Sequence, residues 1–308
     1  MLSLIIPVRS ALHAVYPDLR PLRTAAKARD WAAVSRYFDA LPPGFDATTA
    51  VTMVSQIRGI GRWLQLMVDT HREDPLPRLL LGAHLIIVGW KVRSSYRAQY
   101  VGREQFALFH EYLYRADRLL SDVTAVQPGS TAAWTFRLDT ARGLGFGLPE
   151  ARRRYAKAAE SCAAPFAAQR KLVQQLCPKW GGDFKAVREF TRECLTQTPD
   201  GGICGAVVGE GYLEARFDYD HGHVNAAEIR EDLDVASARI LHADFQPQHG
   251  WVAAHSLLAA SFVVQLDKDA ARPHFAALGN TFSSYPWQMF DFSDAAAFRK
   301  ARYAALGR

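Results

Sequence analysis

Along most of the chain, apolar residues recur three and four positions apart, and no stretch sustains the period-two alternation of a half-buried strand. Pro and Gly interrupt the pattern at short intervals, as at Pro42-Pro43-Gly44, Pro128-Gly129, Gly147-Leu148-Pro149, Gly181-Gly182 and Pro199-Asp200-Gly201-Gly202. Between these breaks the pattern predicts helices over 18–28, 30–41, 46–59, 60–72, 77–93, 103–126, 130–144, 149–162, 165–177, 183–197, 203–216, 224–243, 249–265, 269–279 and 293–305. Ile203 to Gly209 has the apolar density of a strand, but its neighbours are helical and it is read as helix.

One phrase recurs: a small residue near an acidic or aromatic one, followed four positions later by an aromatic. It occurs at Asp30-Trp31-Ala32-Ala33 with Tyr37, Glu150-Ala151 with Tyr155, Asp183-Phe184-Lys185-Ala186 with Phe190, and Asp269-Ala270-Ala271 with Phe275. Ala151 and Ala186 are 35 residues apart, as are Tyr155 and Phe190, while Pro165 and Pro199 are 34 apart. A period near 34 is that of a helix-turn-helix repeat, whose units stack because one hairpin cannot bury its own apolar face. Ala151 and Ala186 are expected where two helices approach closely, with Tyr155 and Phe190 filling the groove against the next hairpin. The fold expected is all-α: a TPR-like helical-hairpin solenoid with irregular helices at both flanks. Its parts are an irregular region at 1–126, a repeat core at 127–216 and helical hairpins at 217–308, which one continuous domain can hold.

The 130–165 unit carries Trp134, Leu138, Ala151, Tyr155 and Pro165, and it resembles a tetratricopeptide repeat shifted by a residue at several places. A more distinctive turn follows, Pro178-Lys179-Trp180-Gly181-Gly182-Asp183, succeeded by Ala186, Phe190 and Pro199. This resembles an uncharacterised bacterial family with a Pro-Lys/Arg-Trp-Gly-Gly turn on a TPR-like scaffold. The resemblance covers about residues 130–216. It implies a fold; the family has no assigned activity, so function stays open.

At 308 residues the chain exceeds a single compact core, which suits either an elongated stack or two domains. The net charge of +6 is modest for this length, and its densest basic cluster, Arg152-Arg153-Arg154 with Lys157, reads as a solvated helix face. It lacks interleaved aromatics, so no nucleic-acid partner is expected. Cys162, Cys177, Cys194 and Cys204 form no CxxC pair and have no His at zinc-ligand spacing. They read as buried reduced thiols suited to the cytoplasm. Met1 to Pro7 lacks the positive charge and apolar length of a signal peptide, and Leu79 to Trp90 is a dozen residues where a span needs about 20. That stretch is expected to be a core helix, with no membrane partner.

Candidate chemistry is sparse. Gly143, Gly145 and Gly147 fit a turn, since no strand or Gly-Lys-Ser/Thr accompanies them. Lys179 and Trp180, beside two glycines, either pack the turn or grip an anionic or aromatic ligand. Asp218, Asp220, His221 and His223 bring acid/base groups together, with His242, Asp244, His249, Trp251 and His255 further on. His84 and the His110-Glu111 pair lie in the other irregular region. The catalytic candidates are Asp220, His221, His223 and His255, and the binding candidates are Lys179, Trp180, Trp251 and His249. No metal site and no cofactor is expected, because zincin, Walker, Rossmann and nucleophile-elbow motifs are all lacking. The leading reading is a cytoplasmic scaffold binding a peptide or partner helix on a concave face, with Trp63, Tyr96, Tyr100, Tyr112 and Trp251 as anchors. The alternative is a small-molecule-binding protein or an unusual enzyme, its pocket lined by His, Asp and Trp from the flanking helices.

Overall fold

The helical periodicity is realised throughout the computed structural model, which describes residues 7–94, 100–218 and 226–307. Among these residues there is no strand; one isolated bridge pairs Arg9 with Thr281. In chain order the first helices are α1 (Leu12–Val15), α2 (Leu19–Ala28), α3 (Trp31–Asp39), α4 (Thr48–Ser55), α5 (Gly61–Thr70), α6 (Pro75–Arg93), α7 (Arg103–Val126), α8 (Thr131–Gly143) and α9 (Gly147–Ala159). They continue with α10 (Phe166–Leu176), α11 (Phe184–Gln197), α12 (Val207–Phe217), α13 (Ala226–Ile240), α14 (Trp251–Val264), α15 (Lys268–Leu278), α16 (Ser284–Trp287) and α17 (Asp294–Leu306). Each expected helical stretch contains one of these. Only α1 and α16, a single turn each, are too short for periodicity to reveal.

Two copies of the acidic-small phrase, those at Asp30 and Asp183, have a local cause, which the helix opening at Asp267 shares; Glu150 and Asp269 lie inside their helices. Asp30, Asp183 and Asp267 are N-caps whose carboxylates accept the amides of Ala33 at 3.0 Å, Ala186 at 2.7 Å and Ala270 at 2.9 Å. Each cap satisfies one of the orphan amides at a helix start. This corrects one expectation. Ala151 is fully buried, but Ala186 is half-exposed, and the close approach of α11 to α12 occurs at Gly211 instead. A Cβ on Gly211 would stand 2.9 Å from Val187, so the glycine lets these two helices touch.

By its contacts the chain forms two units, Tyr16–Leu172 and Met1–Val15 with Val173–Arg308; the division falls inside α10. The expected boundaries at 126/127 and 216/217 fall at the ends of α7 and α12. In Tyr16–Leu172 each helix from α5 to α9 packs on the next, and α6 also packs on α4 and α8. The helix α6 is long and apolar enough, by length and composition, to cross a membrane. Its Leu79, Leu80, Leu81, Leu85 and Ile86 are nevertheless buried, and Gly82 lies against Leu120 of α7 where a Cβ would sit 2.8 Å away. Here it serves as a core helix.

Next to it, α8 is buried on every side from Thr131 to Ala141. Several of its polar groups are answered from neighbouring helices, though the buried Thr135 hydroxyl is not. Thr140 donates to Asp117 of α7 at 2.6 Å, and Arg137 donates to Thr124 at 2.7 Å. The hub is Arg154 on α9. Its guanidinium donates to Glu150 at 2.6 Å, Asp117 at 2.7 Å, the Arg137 carbonyl at 2.6 Å and Thr140 at 2.9 Å. Arg153 and Arg154 together hold the Glu150 carboxyl at about 2, well below the usual carboxylate range. The basic triple expected on a solvated face is thus split: Arg152 is exposed, Arg153 covers Trp134, and Arg154 is interior. Helix periodicity explains why, since Arg154 shares the buried face of Ala151 and Ala158.

In the second unit α11 to α15 pack each on the next, with α11 also on α13 and α12 also on α14. Like α8, α14 is buried on almost all sides, from Ala254 to Phe262. Phe275, Phe282, Trp287 and Phe298 close the unit's far end with ring centroids 5.0–5.8 Å apart. Arg9 joins it through backbone bonds to Asn280 and Phe282.

The Pro-Lys-Trp-Gly-Gly turn is a 3-10 turn, Pro178–Trp180, ended by Gly181 at φ 88°. Its two glycines act for different reasons. Gly181 supplies the left-handed conformation, with open space around it; on Gly182 a Cβ would lie 2.0 Å from the Leu176 carbonyl oxygen. Gly181→Ala is expected to cost about 1 kcal/mol and Gly181→Asn less, whereas Gly182→Ala costs about 3 kcal/mol through overpacking, read as shifts in denaturation midpoint. In the first unit, Arg154→Met should cost about 3–5 kcal/mol because it removes the nearest cation from Asp117 and the donor to Glu150, Thr140 and the Arg137 carbonyl, while Arg153→Met costs under about 1 kcal/mol. Equal losses at the two arginines would refute the assignment of Arg154 as the hub.

Candidate functional site

The second unit contains a small open cleft between α11, α12 and α13. Phe184, Val187, Val208, Ala215 and Ile229 give it an apolar lining, and Tyr212 adds a phenol whose pKa is raised by burial. Arg188 and Asp232 border it. Both belong to a two-rung ladder, since residues four apart share a helix face: Arg188 pairs with Glu228, and Arg192 with Asp232 at 2.8 Å. The bond from Asp232 raises the Arg192 pKa further. The cleft therefore offers an apolar surface beside fixed charges of both signs.

The candidate residues Lys179 and Trp180 lie at a second place. Lys179 donates to Glu214 of α12 at 2.5 Å. Glu214, buried, also accepts from Gln174 at 2.7 Å and from the Tyr285 hydroxyl at 2.9 Å. Gln174 reaches Glu210, one turn earlier on α12, at 3.0 Å. Lys179 is thus the counter-ion of a buried carboxylate, which answers the anion-gripping expectation: its charge is already engaged in holding the turn onto α12. Trp180 is half-buried, and its carbonyl accepts from Gln175 at 3.3 Å.

The remaining described candidates meet around His255. Trp251 packs edge-on against it at 5.8 Å and Phe245 at 5.7 Å; His249 is half-buried on the approach to α14. The His255 Nδ1 lies 2.9 Å from Nδ1 of His274 on α15, whose Nε2 lies 3.0 Å from the Ser237 hydroxyl on α13. Phe262 stacks on His274 at 5.8 Å. Burial pushes His255 down to about 4, and burial followed by the adjacent His255 pushes His274 well below its ordinary value. Both rings are neutral at neutral pH. The chain has the bonding order of an oriented base beside a hydroxyl, but both imidazoles are sealed from solvent at 1% and 0% exposure.

Asp220, His221 and His223 lie outside the described residues, as does Tyr96. In the first unit His84 bonds the Ser55 carbonyl at 2.8 Å, and His110 packs among Phe106, Phe109 and Tyr114. Trp63 meets Trp31 edge-on at 6.0 Å, Tyr112 is half-buried and Tyr100 is exposed. All four cysteines are free thiols, and burial raises the Cys162 pKa. Among the described residues no three His, Cys, Asp or Glu side chains converge as metal ligands. Glu210, Glu214, Tyr285 and Ser237 were not among the expected residues. The glutamates carried a signal, because they stand four apart on a helix that is mostly apolar.

No protein-family model, curated protein or solved structure matches this chain.

Removing the Glu214 carboxylate takes an acceptor from Lys179, Gln174 and the Tyr285 hydroxyl at a buried site, so Glu214→Ala is expected to cost about 2–4 kcal/mol. Lys179→Met takes the counter-ion from the buried Glu214 but leaves it the Gln174 and Tyr285 donors, so it should cost less, about 1–2 kcal/mol. Urea denaturation of both variants checks this; a larger loss for Lys179→Met would reverse the assignment.

Proposed function

We propose that this chain is a TPR-like helical-hairpin scaffold, acting in the cytoplasm, whose α11–α13 cleft binds an extended segment or helix of a partner protein. The cleft itself carries the reading: an apolar lining bordered by the Arg188 and Asp232 charges suits an amphipathic segment. The packing order supports the architectural half. Neighbour-on-neighbour contacts with next-nearest contacts, as in α11 on α13 and α12 on α14, are those of stacked hairpins. Four free thiols suit a reducing compartment. The alternative of a His- and Trp-lined small-molecule pocket draws less support, because His255 and His274 face each other rather than a cavity.

Filling the cleft provides the test. A displayed peptide library panned on the wild-type chain should yield sequences binding at about micromolar strength. Ile229→Trp, at a half-buried position of the lining, should weaken them at least about tenfold while lowering stability by no more than about 1 kcal/mol. Peptides that bind the wild type and the filled variant equally would place recognition elsewhere.

A further inference from the structure

The His255–His274 contact has a property independent of partner binding. One N–H···N bond at 2.9 Å joins the two Nδ1 atoms, so that contact holds a single proton. Either ring can be its donor, because the Ser237 hydroxyl can donate to or accept from the remaining His274 nitrogen. A second proton has no place there. Protonating one ring puts a positive charge inside the aromatic enclosure of Phe245, Trp251 and Phe262, and protonating both sets two N–H groups and two charges against each other.

The surroundings offer little compensation. From α13, Ser237 is uncharged, and Arg230, 5.4 Å over the Phe262 ring, adds positive charge; its carboxylate partners Asp234 and Asp267 are bonded to it. In the α13–α14 connection, His242 lies beside Asp200 and Asp244. On α15 itself, Arg272 pairs with Asp269 at the surface and donates to the Ala305 carbonyl of α17. From α12 the Gly209 carbonyl accepts from Ser261, and the Tyr212 phenol, its pKa raised by burial, faces Gln265 at the end of α14; from the segment before α16 the Ser283 amide donates to Ser256, and all three groups are uncharged at neutral pH.

We propose that the His255–His274 contact is an acid-released latch: protonation of the pair parts α15 from α14 and loosens the end of the unit closed by α16 and α17. Unfolded imidazoles take up a proton near pH 6.5. The closed hairpin is therefore at full stability above that pH, and it loses stability as pH falls from there toward the folded value of about 4 for His255. What opens is local, because the neutral pair joins only α13, α14 and α15.

Hydrogen exchange on the full chain, corrected for intrinsic rates, tests this between about pH 7.5 and pH 5. Peptides covering 251–278 should lose at least about tenfold in protection, with those covering 131–159 changing less than about twofold. In the double variant His255→Gln/His274→Gln the acid-dependent loss should disappear. Retained protection of 251–278 in the wild type at pH 5 overturns the latch, whether or not the variant folds. So does a loss shared equally with 131–159, which would mark global acid unfolding. An undiminished acid response in a folded double variant would assign the effect to other groups.

Discussion

A helix buried on every side cannot leave a polar side chain to water, and α8 and α14 both live under that constraint. Each must find its hydrogen-bonding partners on neighbouring helices, and those partners fix how the neighbours lie. Around α8 the answer is ionic: Arg154 of α9 gathers Asp117, Glu150, Thr140 and a carbonyl of α8. Around α14 it is neutral: two imidazoles and two serine hydroxyls reach α13, α15, α12 and the segment before α16. An unanswered group in either place costs about 1–3 kcal/mol, more if charged, so these bonds specify geometry as much as they add stability.

The same constraint separates groups that are used up by the fold from groups that remain on offer. Lys179 meets Glu214, and His255 meets His274, so these described candidates are engaged in internal bonding. The cleft between α11 and α13 differs. Its lining is largely apolar, and its flanking ion pairs join α11 to α13.

Helix positions were legible because their causes are local. Pro and Gly punctuation, and the Asp30, Asp183 and Asp267 caps, act within a few residues. The candidate sites were not legible, because their bonds join distant positions. Lys179 and Glu214 are 35 residues apart, Tyr285 and Glu214 are 71 apart, and Arg154 and Asp117 are 37 apart. Periodicity says which face of a helix is buried, but not which neighbour covers it. That gap is why the Arg152-Arg153-Arg154 run read as a surface when its third member is interior. It is also why Ala186 read as a helix contact when its amide serves the Asp183 cap.

The backbone pairing of Arg9 with Asn280 and Phe282 makes the second unit discontinuous in sequence. During synthesis, Arg9 leaves the ribosome long before its partners exist. All of Tyr16–Leu172 is made in the interval and already contains its own contacts. Domains fold as units when their residues are present, so assembly order follows from the pairing. The middle of the chain completes first, while the segment around Arg9 waits for the last-made helices before it has anything to bind.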